Sequence, residues 1–178
     1  MTSPDPVKAP DRHRYVLGLG SNRMHGRHGR PDAVLRAAIA RIEAGGAIVV
    51  ARSRLRITAP LGPSHRRFAN MAVLVEGAPP PLAMLALVKA IEAAFGRRNG
   101  RRWGARVLDI DLLLWGGGTF RSRRLTIPHA QLCRRGFALL PAAEVAGGWR
   151  LPRDGRALGA VAARFRRPKP LDPRAPRP

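Results

Sequence analysis

The chain has 178 residues and carries 33 Lys and Arg against 11 Asp and Glu, for a formal charge of +22. One domain is the default at that length, and the 45% hydrophobic content excludes a wholly disordered chain. No apolar run approaches the ~18 residues that cross a bilayer, the opening MTSPDPVKAPDRHR lacks a signal-peptide stretch, and a lone Cys133 excludes an internal disulfide or a Cys-based zinc site.

Residues 1–13 read as a flexible polar lead-in, followed by a domain over 14–165. Tyr15–Leu19 is a short apolar run ending in Gly20-Ser21-Asn22, the pattern of a buried strand entering a turn. Over Pro31–Glu43 the residues Ala33, Ala37, Ile39, Ala40 and Ile42 fall at near-helical spacing, with Pro31 suited to the first turn and Gly45-Gly46 to the stop. Ala47–Ile57 and Phe68–Glu76 are β-type stretches around a Pro- and Gly-marked loop, Ala59–Arg67. Pro79–Pro81 opens a second helix with Leu82, Leu85, Val88, Ala90, Ile91 and Phe95 near one face, and Gly96 is its natural stop. Val107–Trp115 is apolar except for two aspartates and predicts a central strand. The order strand–helix–strand–strand–helix–strand predicts an α+β fold: a ferredoxin-like βαββαβ core with an antiparallel sheet, helices on one or both faces, and a C-terminal extension. Pro128–Ala146 mixes helix and loop, and 166–178 is a Pro/Arg-rich tail with no regular element.

The charge raises a nucleic-acid reading, which two features oppose. Thirty basic residues are Arg and only Lys8, Lys89 and Lys169 are Lys, a pattern of GC-rich coding. Aromatic residues make up only 5% of the chain, so no stacking platform interleaves with the arginines. The sequence therefore implies no specific nucleic-acid partner and no membrane partner, and a soluble cytoplasmic monomer.

Several catalytic motifs are absent. No lysine sits in a phosphate-binding P-loop, and the Gly18-Leu19-Gly20 start of a dinucleotide fingerprint fails where Arg23 stands. Cys133 reads as a small, mostly buried thiol.

The chemistry concentrates in Gly96-Arg97-Arg98-Asn99-Gly100-Arg101-Arg102-Trp103-Gly104-Ala105-Arg106 and the following Leu108-Asp109-Ile110-Asp111. Alternate strand residues share a face, so Asp109 and Asp111 project together, about 6.6 Å apart along the chain. Two carboxylates on an apolar strand are expensive to desolvate. A divalent cation offsets that cost, and oxygen ligands suit Mg²⁺ better than zinc. Neutralisation by the arginines of the preceding loop is the competing account. Mg²⁺ held by two carboxylates beside five arginines describes a polyphosphate site.

Gly20-Ser21-Asn22, Thr58-Ala59-Pro60-Leu61-Gly62-Pro63, Phe68-Ala69-Asn70, the Arg102–Asp111 stretch, Leu125-Thr126-Ile127-Pro128-His129 and Arg135-Gly136-Phe137 occur in one order. Together they resemble the 6-hydroxymethyl-7,8-dihydropterin pyrophosphokinases of folate biosynthesis, over about Tyr15 to Phe165. The resemblance implies Mg²⁺-dependent transfer of pyrophosphate from ATP to the pterin hydroxyl, releasing AMP. It assigns two Mg²⁺ ions to Asp109 and Asp111, and the pterin to a sandwich between Phe68 and Phe137. Asn70 then reads the ring's polar edge, and backbone around Thr58, Ala59 and Leu61 completes the pocket. Arg97, Arg102 and Arg106 would grip the triphosphate, Arg97 and Arg106 as catalytic groups, with Trp103 sealing the lid. Nucleotide contacts would fall to Glu92, Leu112, Arg124, Thr126, His129 and Arg135. The chain departs from the family pattern at Ala59, Phe68 and Ala130, and its lid is about one residue short. Two alternatives stay open: a diverged paralogue for another pterin-like substrate, and a basic RNA-binding ferredoxin-like module.

Overall fold

The computed structural model describes residues 13–59, 66–96 and 107–166, of which Arg166 is described by its backbone alone. The chain runs β1 (His13–Ser21), α1 (Pro31–Ala44), β2 (Ile48–Arg52), β3 (Arg56–Thr58), β4 (Phe68–Ala78), α2 (Pro81–Ala94) and β5 (Asp109–Trp115). A short hairpin follows, β6 (Phe120–Arg121) with β7 (Thr126–Ile127), then a 3-10 turn (Leu132–Arg134), α3 (Gly136–Ala146) and α4 (Leu158–Arg166).

Local chemistry places the helix ends. Pro31 and Pro81 each occupy a first-turn position, where the missing N–H has no intrahelical partner to lose. The chain leaves α2 through Phe95 and Gly96; the latter, at φ +77°, adopts the left-handed conformation that glycine takes without steric penalty.

The sheet order is β2-β4-β1-β5, antiparallel throughout, with β3 also paired to β4. The predicted ferredoxin-like βαββαβ core is present, with β1 and β4 central. Alternation divides the side chains between two cores. Tyr15, Leu17, Leu19, Val73, Val75, Ile110 and Leu112 pack under α1 and α2. Val16, Ala72, Leu74, Leu113 and Leu114 pack under α3 and α4. Helices therefore lie on both faces.

The structure refines the predicted elements in several places. The stretch expected as one strand over Ala47–Ile57 is two, because Ser53 breaks the ladder: its hydroxyl accepts from Ala72 N (2.9 Å) while its own N–H donates to the Ala72 carbonyl (2.9 Å). The predicted central strand Val107–Trp115 is instead at the edge of the sheet, and begins at Asp109. His13 already belongs to β1 and Arg166 to α4, each one residue inside a segment expected to be a terminal extension. The hairpin and α4 were not anticipated. Cys133 is exposed, correcting the buried thiol: on the 3-10 turn Leu132 takes the inward position and Cys133 the outward one. No helix among the described residues is long and apolar enough to cross a membrane.

One tether fastens the short edge strand to the layer above it. Glu144 of α3 accepts from the Arg54 backbone N–H (2.9 Å) and bonds the Arg56 guanidinium. Burial alone would push the Glu144 carboxyl up, but the hydrogen bonds from Arg56 and from Arg54 outweigh it and hold the group below the ordinary carboxylate range. A carboxylate lowered in the folded state stabilises above its unfolded pKa, and that contribution is lost as pH falls through the folded value. Glu144→Gln should therefore lower unfolding free energy by about 1 kcal/mol at pH 7, with the gap to wild type closing as pH drops below the carboxylate range. Urea unfolding of both proteins at pH 7 and pH 3 checks this; a gap of equal size at both pH values would refute it.

Candidate functional site

Strand register builds the site. Gly20 on β1 pairs with Asn70 on β4 at one side and with Asp109 on β5 at the other; Arg56 on β3 pairs with Asn70 in turn. One row across the sheet therefore reads Arg56, Asn70, Gly20, Asp109. The next row carries Ala72, Gly18 and Asp111. By alternation these residues share the face on which Val16, Ala72 and Leu74 meet α3 and α4. Two strand spacings separate Asn70 from Asp109, about 10 Å, with no side chain at Gly20 between them. A Cβ at Gly20 would stand 3.3 Å from Asn70 Oδ1. At Gly18 it would stand 3.0 Å from Leu113 Cδ1, so that position is covered by Leu113, and Gly20 alone leaves the floor bare.

Asp109 and Asp111 fall on this face together, as their spacing predicts, both half-buried, with Ile110 between them turned into the opposite core. Burial first, and then the charge of Asp109, push the Asp111 carboxyl above the ordinary carboxylate range; Glu92 adds to that push, while His129 and Lys89 oppose it. No group of three or more His, Cys, Asp or Glu among the described residues is arranged to hold a metal ion. The donor set is a carboxylate pair, which fits a hard divalent cation whose remaining ligands are substrate oxygens and water. Like charges held together and partly desolvated are what such a cation relieves.

The β3–β4 corner supplies a second region. Asn70, only 6% exposed, donates through Nδ2 to Thr58 Oγ1 (2.8 Å), leaving Oδ1 toward Gly20. Phe68 pairs with Thr58 and is half-buried on the same face as Asn70. Phe137 is the second residue of α3, which packs on β4, and the Arg135 guanidinium carbon lies 5.9 Å from its ring centroid. Ala59 is exposed beside Thr58. Leu61, Arg97, Arg102, Trp103 and Arg106 lie outside the described residues.

Beyond β5, at the sheet edge, His129 and Glu92, both expected to touch a nucleotide, also hold the strand. The His129 N–H donates to the Leu113 carbonyl (2.9 Å), and His129 Nδ1 accepts from the Gln131 N–H (3.2 Å). In the neutral ring that leaves the proton on Nε2. Glu92 is fully buried and its Oε1 accepts from the Ile110 N–H (2.8 Å). Leu112 is likewise buried, with its side chain in the core under α1 and α2, across the sheet from the aspartates. Arg124 and Thr126 are exposed on the hairpin, and Arg135 half-buried before α3. Sequence reasoning overlooked Gly20 as a floor and Lys89 as a cation near Asp111. The Gly18-x-Gly20 alternation on a strand was the available signal for the first; nothing in the sequence marked the second.

A family model described as 7,8-dihydro-6-hydroxymethylpterin-pyrophosphokinase (HPPK) matches residues 16–147. Among curated relatives, a 2-amino-4-hydroxy-6-hydroxymethyldihydropteridine pyrophosphokinase from Methylorubrum extorquens is 41% identical over 135 residues, 75% of this chain and 82% of the relative. One of the same name from Synechocystis sp. is 35% identical over 160 residues, 89% and 80% of the two chains. Among solved structures, an HPPK-DHPS protein in complex with substrates aligns at a TM-score of 0.67 and 13% identity, covering 88% of this chain. The present chain spans 45% of that solved chain, and the likeness speaks to the fold alone.

The Asn70–Thr58 bond gives a local test. Thr58→Val keeps the side-chain volume but removes the acceptor, stranding a nearly buried amide N–H. The expected loss is about 1–3 kcal/mol of stability. Chemical denaturation measures it, and a Thr58→Ser variant, which keeps the hydroxyl, should recover most of the loss.

Proposed function

We infer the reaction from the family: the chain belongs to the 7,8-dihydro-6-hydroxymethylpterin-pyrophosphokinase family, and it is a pyrophosphokinase of folate biosynthesis that moves a pyrophosphoryl group from ATP to hydroxymethyldihydropterin. The observation that supports our assignment of roles is the row Asn70, Gly20, Asp109, which sets a ring-reading amide and a phosphate-facing carboxylate on either side of a bare floor.

The pterin would lie over Gly20 between the rings of Phe68 and Phe137, its polar edge against Asn70, with Thr58 fixing that amide and Ala59 and Leu61 offering backbone groups. Asp109 and Asp111 would hold two Mg²⁺ ions. Bound there, Mg²⁺ supplies positive charge to the phosphate oxygens and eases deprotonation of the attacking hydroxyl. The hydroxyl oxygen forms a bond to the β-phosphorus, the bond from that phosphorus to the bridging α–β oxygen breaks, and AMP leaves with the electron pair. The hydroxyl proton passes to solvent, since no described side chain is placed as a general base. Arg97, Arg102 and Arg106, with Trp103, would close over the triphosphate, exclude water and take up charge as the bridging bond breaks. Arg124, Thr126, His129 and Arg135 would bind the nucleotide from the β5 edge. Leu112 is left with its backbone for that purpose. The enzyme would act as a monomer, and in the cytoplasm, where ATP is available.

Incubation with Mg-ATP and hydroxymethyldihydropterin should yield AMP and the pterin diphosphate; ADP as the main product would overturn the reading. Asp109→Asn and Asp111→Asn should each lower kcat at least about a hundredfold with the thermal midpoint retained. Phe137→Ala should weaken pterin binding by about 1–3 kcal/mol and leave ATP affinity nearly unchanged, as separate calorimetric titrations would read. Equal weakening of both ligands would make Phe137 a packing residue instead.

A further inference from the structure

We propose that Glu92, braced by Lys89, is a positioning residue that sets the Asp109–Asp111 pair through the backbone of Ile110. The inference rests on reading those aspartates as metal ligands. β5 is an edge strand, paired on one side with β1. Among the described residues no strand pairs with its other edge, and an unanchored edge next to two repelling carboxylates would let their separation drift. Glu92 reaches that edge from the last turn of α2. Its carboxylate is fully buried, and Oε1 accepts from the Ile110 N–H (2.8 Å), the amide that stands between the two aspartates.

The carboxylate is itself held. Lys89, one helical turn earlier, donates from Nζ to Oε1 (3.0 Å) and Oε2 (2.8 Å). The Lys89 side chain is 44% exposed while that of Glu92 is 0%, so the ammonium keeps water contact as it neutralises a charge that has none. A buried carboxylate compensated in this way has one fixed geometry, and it transmits that geometry to the Asp109–Ile110 peptide. Farther along the same edge, the His129 N–H donates to the Leu113 carbonyl (2.9 Å). The two contacts bracket Asp111 and brace the strand at either end of the pair's second half. Groups that hold ligands from behind in this way typically alter metal affinity or activity by 10–100-fold when removed.

Nucleotide binding and strand positioning by Glu92 make opposite predictions. Glu92→Gln keeps an oxygen acceptor for Ile110 and loses the ion pair; Glu92→Leu loses both. Three quantities separate them: hydrogen exchange of the Ile110 amide by NMR, Mn²⁺ affinity by electron paramagnetic resonance with a non-hydrolysable ATP analogue, and kcat against KM for ATP. Positioning predicts that Glu92→Leu loses Ile110 protection, binds Mn²⁺ 10–100-fold more weakly and drops kcat similarly, with KM for ATP changed less than threefold. It predicts that Glu92→Gln restores protection and brings kcat within about threefold of wild type. A loss confined to KM, or a normal Mn²⁺ affinity in Glu92→Leu with the Ile110 amide unprotected, overturns it. Should Glu92→Leu fail to fold, Glu92→Gln decides alone: a tenfold drop in kcat with the amide still protected overturns the proposal. If the wild type makes no AMP, the reaction assignment falls, and the amide and Mn²⁺ measurements still judge the positioning role.

Discussion

Two carboxylates one residue apart on a strand must face the same way, and in this fold everything at the site answers to that constraint. Asp109 and Asp111 are half-buried on the face shared with Leu113 and α3, where their mutual repulsion is poorly screened. Burial and that repulsion drive the Asp111 carboxyl upward. Such a pair weakens the isolated fold and is tolerated because the surroundings fix it. The antiparallel pairing with β1 fixes it from one side, and the Glu92 and His129 contacts fix it from the other.

The same register accounts for the glycines of β1. A side chain at Gly20 would crowd the Asn70 carbonyl and fill the floor between amide and carboxylate, whereas Gly18 admits the Leu113 side chain that seals the core beneath α3. One strand thus serves two purposes by alternation: Tyr15, Leu17 and Leu19 anchor it under α1 and α2, while Gly18 and Gly20 keep the opposite side low. The region nearest the site stays open because its rows carry Gly20, Asn70 and Asp109 in place of apolar bulk.

Much of this was legible in the sequence, for identifiable reasons. The helices over 31–44 and 81–94 announce themselves through first-turn prolines and apolar periodicity. Facing of the aspartates follows from strand alternation alone. What escaped reading depends on tertiary contacts. The division of β2 from β3 turns on a Ser53 hydroxyl that meets Ala72, nineteen residues away. The β6–β7 strands are two residues each, too short to carry a period. Glu92 sits on a helix whose sequence pattern marks its apolar face, and only the structure shows that face carrying a carboxylate to the backbone of β5. Cys133 faces out because its neighbour Leu132 takes the buried side of a single 3-10 turn, a choice that no periodicity encodes.

The arginine excess sharpens the meaning of the aspartate pair. In this chain the surface acids find basic partners readily: Glu76 pairs with Arg14, Asp32 with Arg36, Glu43 with Arg52, and Asp154 with Arg156. The hydrogen bonds from Arg36 and Arg156 hold the Asp32 and Asp154 carboxyls below their ordinary range. Asp111 moves the other way, in a protein where arginine is the commonest charged residue by far. Among the described groups, those that oppose the rise at Asp111 are His129, whose backbone N–H also stitches the strand edge, and Lys89, already committed to Glu92. Arginines among the described residues pair with the surface acids, while burial and Asp109 keep the Asp111 carboxyl raised, a state that a cation arriving with the nucleotide would relieve.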